Sequence, residues 1–246
     1  MTVRKMGNKI SLLKCGKVPI TPQLYVRIPT VGEVLDDEQT YFSILSSLIA
    51  TPSSHMVQLD KVGIDFTEIK DYDLFLMLFD MLKSEDLSLF FGDMNTSNFE
   101  MGINNQNGET VFYNETNNIM IDMFVYSQIV EILRKITLSE KKVIKPANEE
   151  AKRYLLEKEK KKLKRSMREG YKPYLESLVI ALVNTTEFKY NYEEVMNLSL
   201  YKFNQSFKQI QSKISFDNTM VGVYTGNIDT SKISDKSCLS WLSIQS

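Results

Sequence analysis

The chain has 246 residues, a formal net charge of −1, 43% hydrophobic residues and 25% charged ones. Those values exclude a disordered chain and supply enough apolar side chains for a sizeable core in one or two domains. Two cysteines exclude a disulfide scaffold, and a single histidine, His55, excludes a multi-histidine metal site or proton relay. With 10 Gly and 6 Pro, collagenous and low-complexity classes are also disfavoured.

In chain order, the segments at 10–14 and 23–28 have strand character, punctuated by Pro19, Pro22 and Pro29. Asp36 or Asp37 is placed to cap a helix over about 38–50, with Tyr41, Leu45 and Leu48 on one face. A short helix over 54–61 ends at Gly63. Asp71 is the expected cap of a helix over 72–82, where nine of eleven residues are apolar, the mark of a central core helix. The period then changes. Asn107-Gly108 separates two strand-like runs, and Thr116-Asn117-Asn118 offers a second turn, which predicts a small antiparallel meander before a helix over 124–136.

Asn148, followed by Glu149 and Glu150, predicts the start of a long helix that stops at Gly170. Its apolar edge is narrow: Ala151, Leu155, Leu163 and Met167. Pro173 suits the first turn of a helix to Val183. Ser199 then caps the clearest periodic segment, with Leu200, Phe203, Phe207, Ile210 and Ile214 spaced 3, 4, 3, 4 along one face. Two heptads are too few to read as a coiled coil. A last short helix is expected from Ser234, carrying Leu239, Trp241 and Leu242.

Charge is distributed unevenly. Residues 141–172 hold 13 Lys or Arg against 5 Asp or Glu, while the remainder holds 17 against 26. Such a segment either meets an anionic partner or contacts acidic surface elsewhere, and a solvated lysine-rich connector is the plainer reading. The anion-binding candidates are Lys158, Lys160, Lys161, Lys162, Lys164, Arg165 and Arg168. Between Leu155 and Gly170 there is no Asn, Gln or aromatic residue to read bases, so only non-specific nucleic-acid binding is supported.

Catalytic signatures are missing from the sequence. No phosphate-cradling glycine loop, C-x-x-C or H-E-x-x-H occurs, so no catalytic residue, cofactor or metal ligand is expected. A Cys15–His55 nucleophile pair is conceivable in space, but a surface histidine at a helix end is the favoured reading. Asp60, Asp65, Asp71 and Asp73 crowd one stretch, and helix-start chemistry accounts for them. The N-terminus lacks the apolar core of a signal peptide, and the longest dense apolar run, 74–79, is too short to span a bilayer. A cytoplasmic place of synthesis and no membrane partner are therefore expected, with two reduced thiols.

Four segments together carry a resemblance. Leu24-Tyr-Val-Arg-Ile-Pro-Thr-Val-Gly-Glu-Val-Leu, Met56-Val-Gln-Leu-Asp-Lys-Val-Gly-Ile-Asp-Phe-Thr, Lys145-Pro-Ala-Asn-Glu-Glu-Ala-Lys and Leu198-Ser-Leu-Tyr-Lys-Phe-Asn-Gln-Ser resemble proteins of tailed phages and prophages of Firmicutes. Those proteins are similar to tail morphogenesis products: tail assembly chaperones, or small tail and baseplate components. The resemblance implies non-enzymatic work in the host cytoplasm during assembly or in the virion. Its implied partners are tail proteins, a helical tape-measure-like client among them, or further copies of the chain. It carries over no catalytic residue.

The expectation is therefore an α+β, mostly helical fold. It comprises a mixed domain over 1–138, a basic connector helix within 139–172, and a helical module over 173–246. The stripe from Leu200 to Ile214 is the candidate face for a client. Binding of nucleic acid through 141–172 is the alternative function.

Overall fold

The computed structural model describes residues 11–233 and 236–242. The first described residues form a turn, and pairing begins later than the sequence suggests. Strand β1, Lys17–Pro19, lies antiparallel to β2, Tyr25–Arg27, with Val18 opposite Val26. Thr30 then opens α1, Val31–Asp36, through a capping box in which Thr30 and Glu33 satisfy each other's backbone N–H. Asp37 caps α2, Glu38–Leu48, by accepting from the Thr40 N–H. Next come α3, Met56–Lys61, and α4, Asp71–Leu82.

Asp71 is the first residue of α4, not its cap; Lys70 occupies that position and makes no side-chain capping bond. Nor is α4 central on every side. Tyr72, Leu74, Phe75, Leu76 and Phe79 are buried, but Met77 is exposed and Met81 is 70% exposed. A mostly apolar helix can thus lie at the edge of a core when flexible methionines form its outer face.

A short helix α5, Ser88–Phe91, leads to the expected meander of β3, Glu100–Ile103, β4, Thr110–Asn114, and β5, Ile119–Ile121. The three strands are antiparallel in the order β3-β4-β5, with Met101 opposite Phe112 and Phe112 opposite Ile121. The Asn107-Gly108 loop is wider than a two-residue turn: Gly108, at φ +72°, donates its N–H to the Asn104 carbonyl. Asp122 caps α6, Met123–Thr137. Beyond it stand α7, Glu149–Glu169, α8, Leu175–Val183, α9, Tyr192–Met196, and α10, Leu200–Tyr224. The fold is mixed α+β and 54% helical. The expected start of the last helix at Ser234 lies outside the described residues; a 3₁₀ turn covers Lys236–Leu239.

Two clusters of buried side chains organise these elements. The larger joins β1, β2, α1, α2, α4, α5, the meander and α6 to Leu175, Leu178, Val179, Leu182, Phe188, Val195, Leu200 and Phe203. A smaller one gathers Ala50, Met56, Val57, Leu59, Phe66 and Leu74. The boundary expected near residue 138 does not coincide with a break in the core. Helices α8 and α9 and the start of α10 complete the packing begun by residues 18–136.

Three contacts seat this later segment. Val31 donates its N–H to the Leu198 carbonyl, and Leu200 donates to Pro29, forming an antiparallel bridge between Thr30 and Ser199. A Cβ on Gly32 would stand 3.0 Å from the Met196 carbonyl oxygen, so α1 approaches the end of α9 at glycine distance. The third contact is the tightest. Glu38, only 7% exposed, accepts hydrogen bonds at 2.7 Å from the Tyr171 hydroxyl, 2.7 Å from Tyr174 N and 2.9 Å from Leu175 N.

A carboxylate from α2 thus caps the N-terminus of α8, which has no side-chain cap of its own. Burial pushes the Glu38 carboxyl upward, but the bonds from Leu175, Tyr171 and Tyr174 outweigh it and hold the group below its ordinary 4.5. A carboxyl lowered on folding adds stability that is present above its unfolded value and is lost as pH falls through the folded one. Glu38→Gln keeps the shape but replaces charge-assisted bonds with neutral ones, and should cost about 1–2 kcal/mol at pH 7. Denaturant titrations should show that deficit shrinking as the pH drops below the unfolded value of 4.5 and through the lower folded one, where wild-type Glu38 protonates. A deficit independent of pH would remove the charge from the explanation.

Candidate interaction surfaces

Helix α7 carries the basic segment. Its inner face holds Lys152, Leu155, Leu156, Glu159, Lys160 and Leu163, and the three leucines rest on the smaller cluster. Lys152 pairs with Asp65 and Lys160 Nζ lies 2.6 Å from Asp60, while Lys141, before the helix, pairs with Asp71. The acidic stretch at 60–71 is therefore the counter-surface of the basic one. Contact with acidic surface elsewhere is one of the two readings the charge asymmetry allows; the sequence assigns these aspartates to helix starts, and the structure shows that they are that acidic surface. The Lys152 ammonium, with bonds from Thr67, holds the Asp65 carboxyl down at about 2.

The opposite face of α7 is left to solvent. Tyr154, Lys158, Lys161, Arg165 and Arg168 recur at spacings of 4, 3, 4 and 3, and all are exposed. Among the described residues, no carboxylate pairs with Lys158, Lys161, Lys162, Lys164 or Arg168, whereas Arg165 Nε lies 2.7 Å from Glu169. Of the seven anion-binding candidates, Lys160 is thus turned inward and engaged. The other six stand on or beside the open face.

The second candidate surface is divided by the core boundary. Leu200 and Phe203 are buried, at 1% and 0% exposure, which removes them from any client face. Phe203 packs edge-on against Phe188 at 6.1 Å, and Asn204 Nδ2 donates to the last-turn carbonyl of Ile136 in α6. Phe207 and Ile210 sit partly buried against the same cluster. Periodicity identified the shared face correctly; only packing tells what covers each turn.

Helix α10 then continues ten residues past the expected Ile214. In the same 3–4 phase it carries Ile214, Asp217, Val221 and Tyr224, with Ile214, Val221 and Tyr224 exposed by 41%, 62% and 82%. The chain after Gly226 turns back along a different side of the helix. Ile228 there lies so close to Gly222 that a Cβ would meet its Cδ1 at 2.5 Å, and Gln209 Nε2 donates to the Trp241 carbonyl. Among the described residues, the tail therefore leaves the stripe uncovered.

Cys15 and Cys238 are not joined in a disulfide, and His55 stands beside Ser54, with Oγ 3.0 Å from Nδ1 and its pKa lowered by burial. Among the described residues, no three His, Cys, Asp or Glu side chains gather as a metal site, and no helix is long and apolar enough to cross a membrane.

Residues 160–245 match a family model described as the YomV second domain, YomV being a protein of a Bacillus phage or prophage region. The similarity is to a phage-associated family. The matched stretch starts within α7 and includes α8, α9, α10 and the returning tail, so the uncovered half of the stripe falls inside it. No curated protein and no solved structure matches the chain.

Past Leu163, α7 has no residue in either buried cluster, so its last turns open without cost to the core. Limited trypsin digestion should cut first between Lys164 and Lys172 and leave residues 17–137 intact in the early time points. First cuts after Lys83 at the end of α4, or after Arg134 or Lys135 in α6, would contradict this order of local stability.

Proposed function

We propose that the chain is a non-enzymatic phage protein of tail assembly or tail structure that binds a helical partner along the distal stripe of α10. A tape-measure-like client fits that surface. The observation that carries the reading is the stripe itself: one apolar face starts inside the core at Leu200 and runs out of it to Ile214, Val221 and Tyr224. Exposed apolar side chains in a 3–4 phase, here interrupted once at Asp217, are what a second helix packs against. The buried half anchors the helix, so the exposed half is held out with little ordering cost left at binding. The match to a phage-associated domain supports the setting, and the resemblance to tail morphogenesis proteins suggests the client.

Val221→Asp and Tyr224→Ser alter side chains that make little contact with the protein's own body. Chemical denaturation should therefore change by no more than about 0.5 kcal/mol for either variant. Co-expression with the long helical tail proteins of the same phage region should capture a partner with the wild type and lose it with Val221→Asp. Phe203→Ala, inside the core, should instead cost about 3–5 kcal/mol of stability. Partner capture that survives both exposed-site substitutions would end the proposal for this face.

A second reading rests on the cations at the outer side of α7. Five of them have no carboxylate partner among the described residues, so their field reaches solvent. Binding of duplex DNA there is expected to be weak and sequence-blind. With about four phosphates engaged, affinity should fall about a hundredfold between 50 and 200 mM salt. Tight binding that discriminates sequences at about 150 mM salt, where non-specific contacts are weak, would make nucleic acid the primary partner.

A further inference from the structure

We infer that the chain pairs with a second copy of itself through a two-fold contact centred on Tyr171. Two hollows of opposite charge meet at this residue. One, of about 520 Å³, lies between the α1–α2 junction and helices α8 and α9, with Asp36, Asp37 and Glu176 at its margin. The other, of about 440 Å³, lies at the end of α7, where Lys162, Arg165 and Lys172 outnumber the Glu169 carboxylate that Arg165 and Lys172 share. Tyr171 lines both.

The arrangement is self-complementary. A two-fold axis near a boundary between a positive and a negative patch lays each patch on its opposite in the partner, twice. Both signs are segregated in this chain while the total is −1, so a copy of the chain supplies the needed charges without adding net repulsion. Asp36, Glu176 and Lys162 are exposed, and so are Arg165 and Lys172, which share the single carboxylate of Glu169 within the chain and so leave the patch a net positive charge for that contact. The chemistry at the boundary also suits an interface: Tyr171, Tyr174, Ile180 and Tyr192 are exposed there by 41%, 60%, 50% and 47%. Aromatic groups at the centre with charges around them are the usual anatomy of a protein contact.

The centre is fixed before pairing. Tyr171 donates its hydroxyl to the buried Glu38, which sets the ring's position; burial first, and then the Glu38 carboxylate, push the phenol up to about 12. The ring therefore stays neutral and oriented across the physiological range. This surface is separate from the distal stripe of α10, and the inference does not depend on the client-binding reading.

The test uses the full chain and its mass in solution, by light scattering and sedimentation over a concentration series. A dimer is expected at low ionic strength, weakening as salt shortens the screening length. The variant Asp36→Lys with Glu176→Lys, and the variant Lys162→Glu with Arg165→Glu, each set like charges opposite one another. Each should associate at least about a hundredfold more weakly than the wild type. An equimolar mixture of the two should recover association, because each reversed patch then finds a reversed partner. Thermal unfolding of each variant at low concentration checks that the chain stays folded, since both pairs of sites are at the surface. A wild type that stays monomeric throughout overturns the inference, as does association unaffected by both reversals. Recovery as chains longer than two would overturn the two-fold axis, because head-to-tail contacts do not close.

Discussion

Glu38 sits where two demands meet. Its own helix needs an acid in the first turn, and α8 needs an acceptor at an N-terminus that carries no side-chain cap. One carboxylate meets both, at the cost of being almost fully buried. That cost is offset because the charge is met by three donors at 2.7 to 2.9 Å. Around this point the other long-range contacts fall into register. The Thr30–Ser199 bridge and the approach of Gly32 to Met196 seat α9 and the start of α10 against α1. Phe203 can then close the core against Phe188.

The basic segment follows a different logic. Helix α7 contributes no fully buried side chain, yet it is held by leucines on one side and by ion pairs to the acidic stretch beneath it. Exposed ion pairs of this kind add little stability each. Their effect is chiefly to choose an orientation. With Lys152 and Lys160 turned down onto Asp65 and Asp60, the stripe from Lys158 to Arg168 must point away from the body. Charge pairing within the chain thus decides which cations remain for others.

Much of the fold was legible in the sequence. Asp37, Asn148 and Ser199 are caps because short acceptors at those positions precede helical periodicity, and local chemistry is enough to identify them. The meander was legible for the same reason. Asp71 and the 72–82 helix were misjudged because apolar content was equated with depth, and the two outward methionines show why it is not. The end of α10 was underestimated: Asp217 interrupts the stripe in sequence, although the phase resumes at Val221. Neither the role of Glu38 nor the joining of residues 175–203 to the first core had a local signature. Both depend on which distant segment arrives, and an abrupt change in charge at 141 marks a surface segment without marking a gap in packing.

The bridge between Thr30 and Ser199 has a consequence for synthesis on the ribosome. Residues 18–136 cannot finish burying their apolar faces until Leu175 to Phe203 have left the exit tunnel. At about 5–20 residues per second, the interval between Leu48 and Phe203 is roughly eight to thirty seconds. Throughout it, the nascent chain holds an incomplete core exposed in a crowded cell. Prematurely terminated products ending before α8 would keep that surface permanently, and would be natural substrates for quality-control proteases even though every earlier helix and strand had been made.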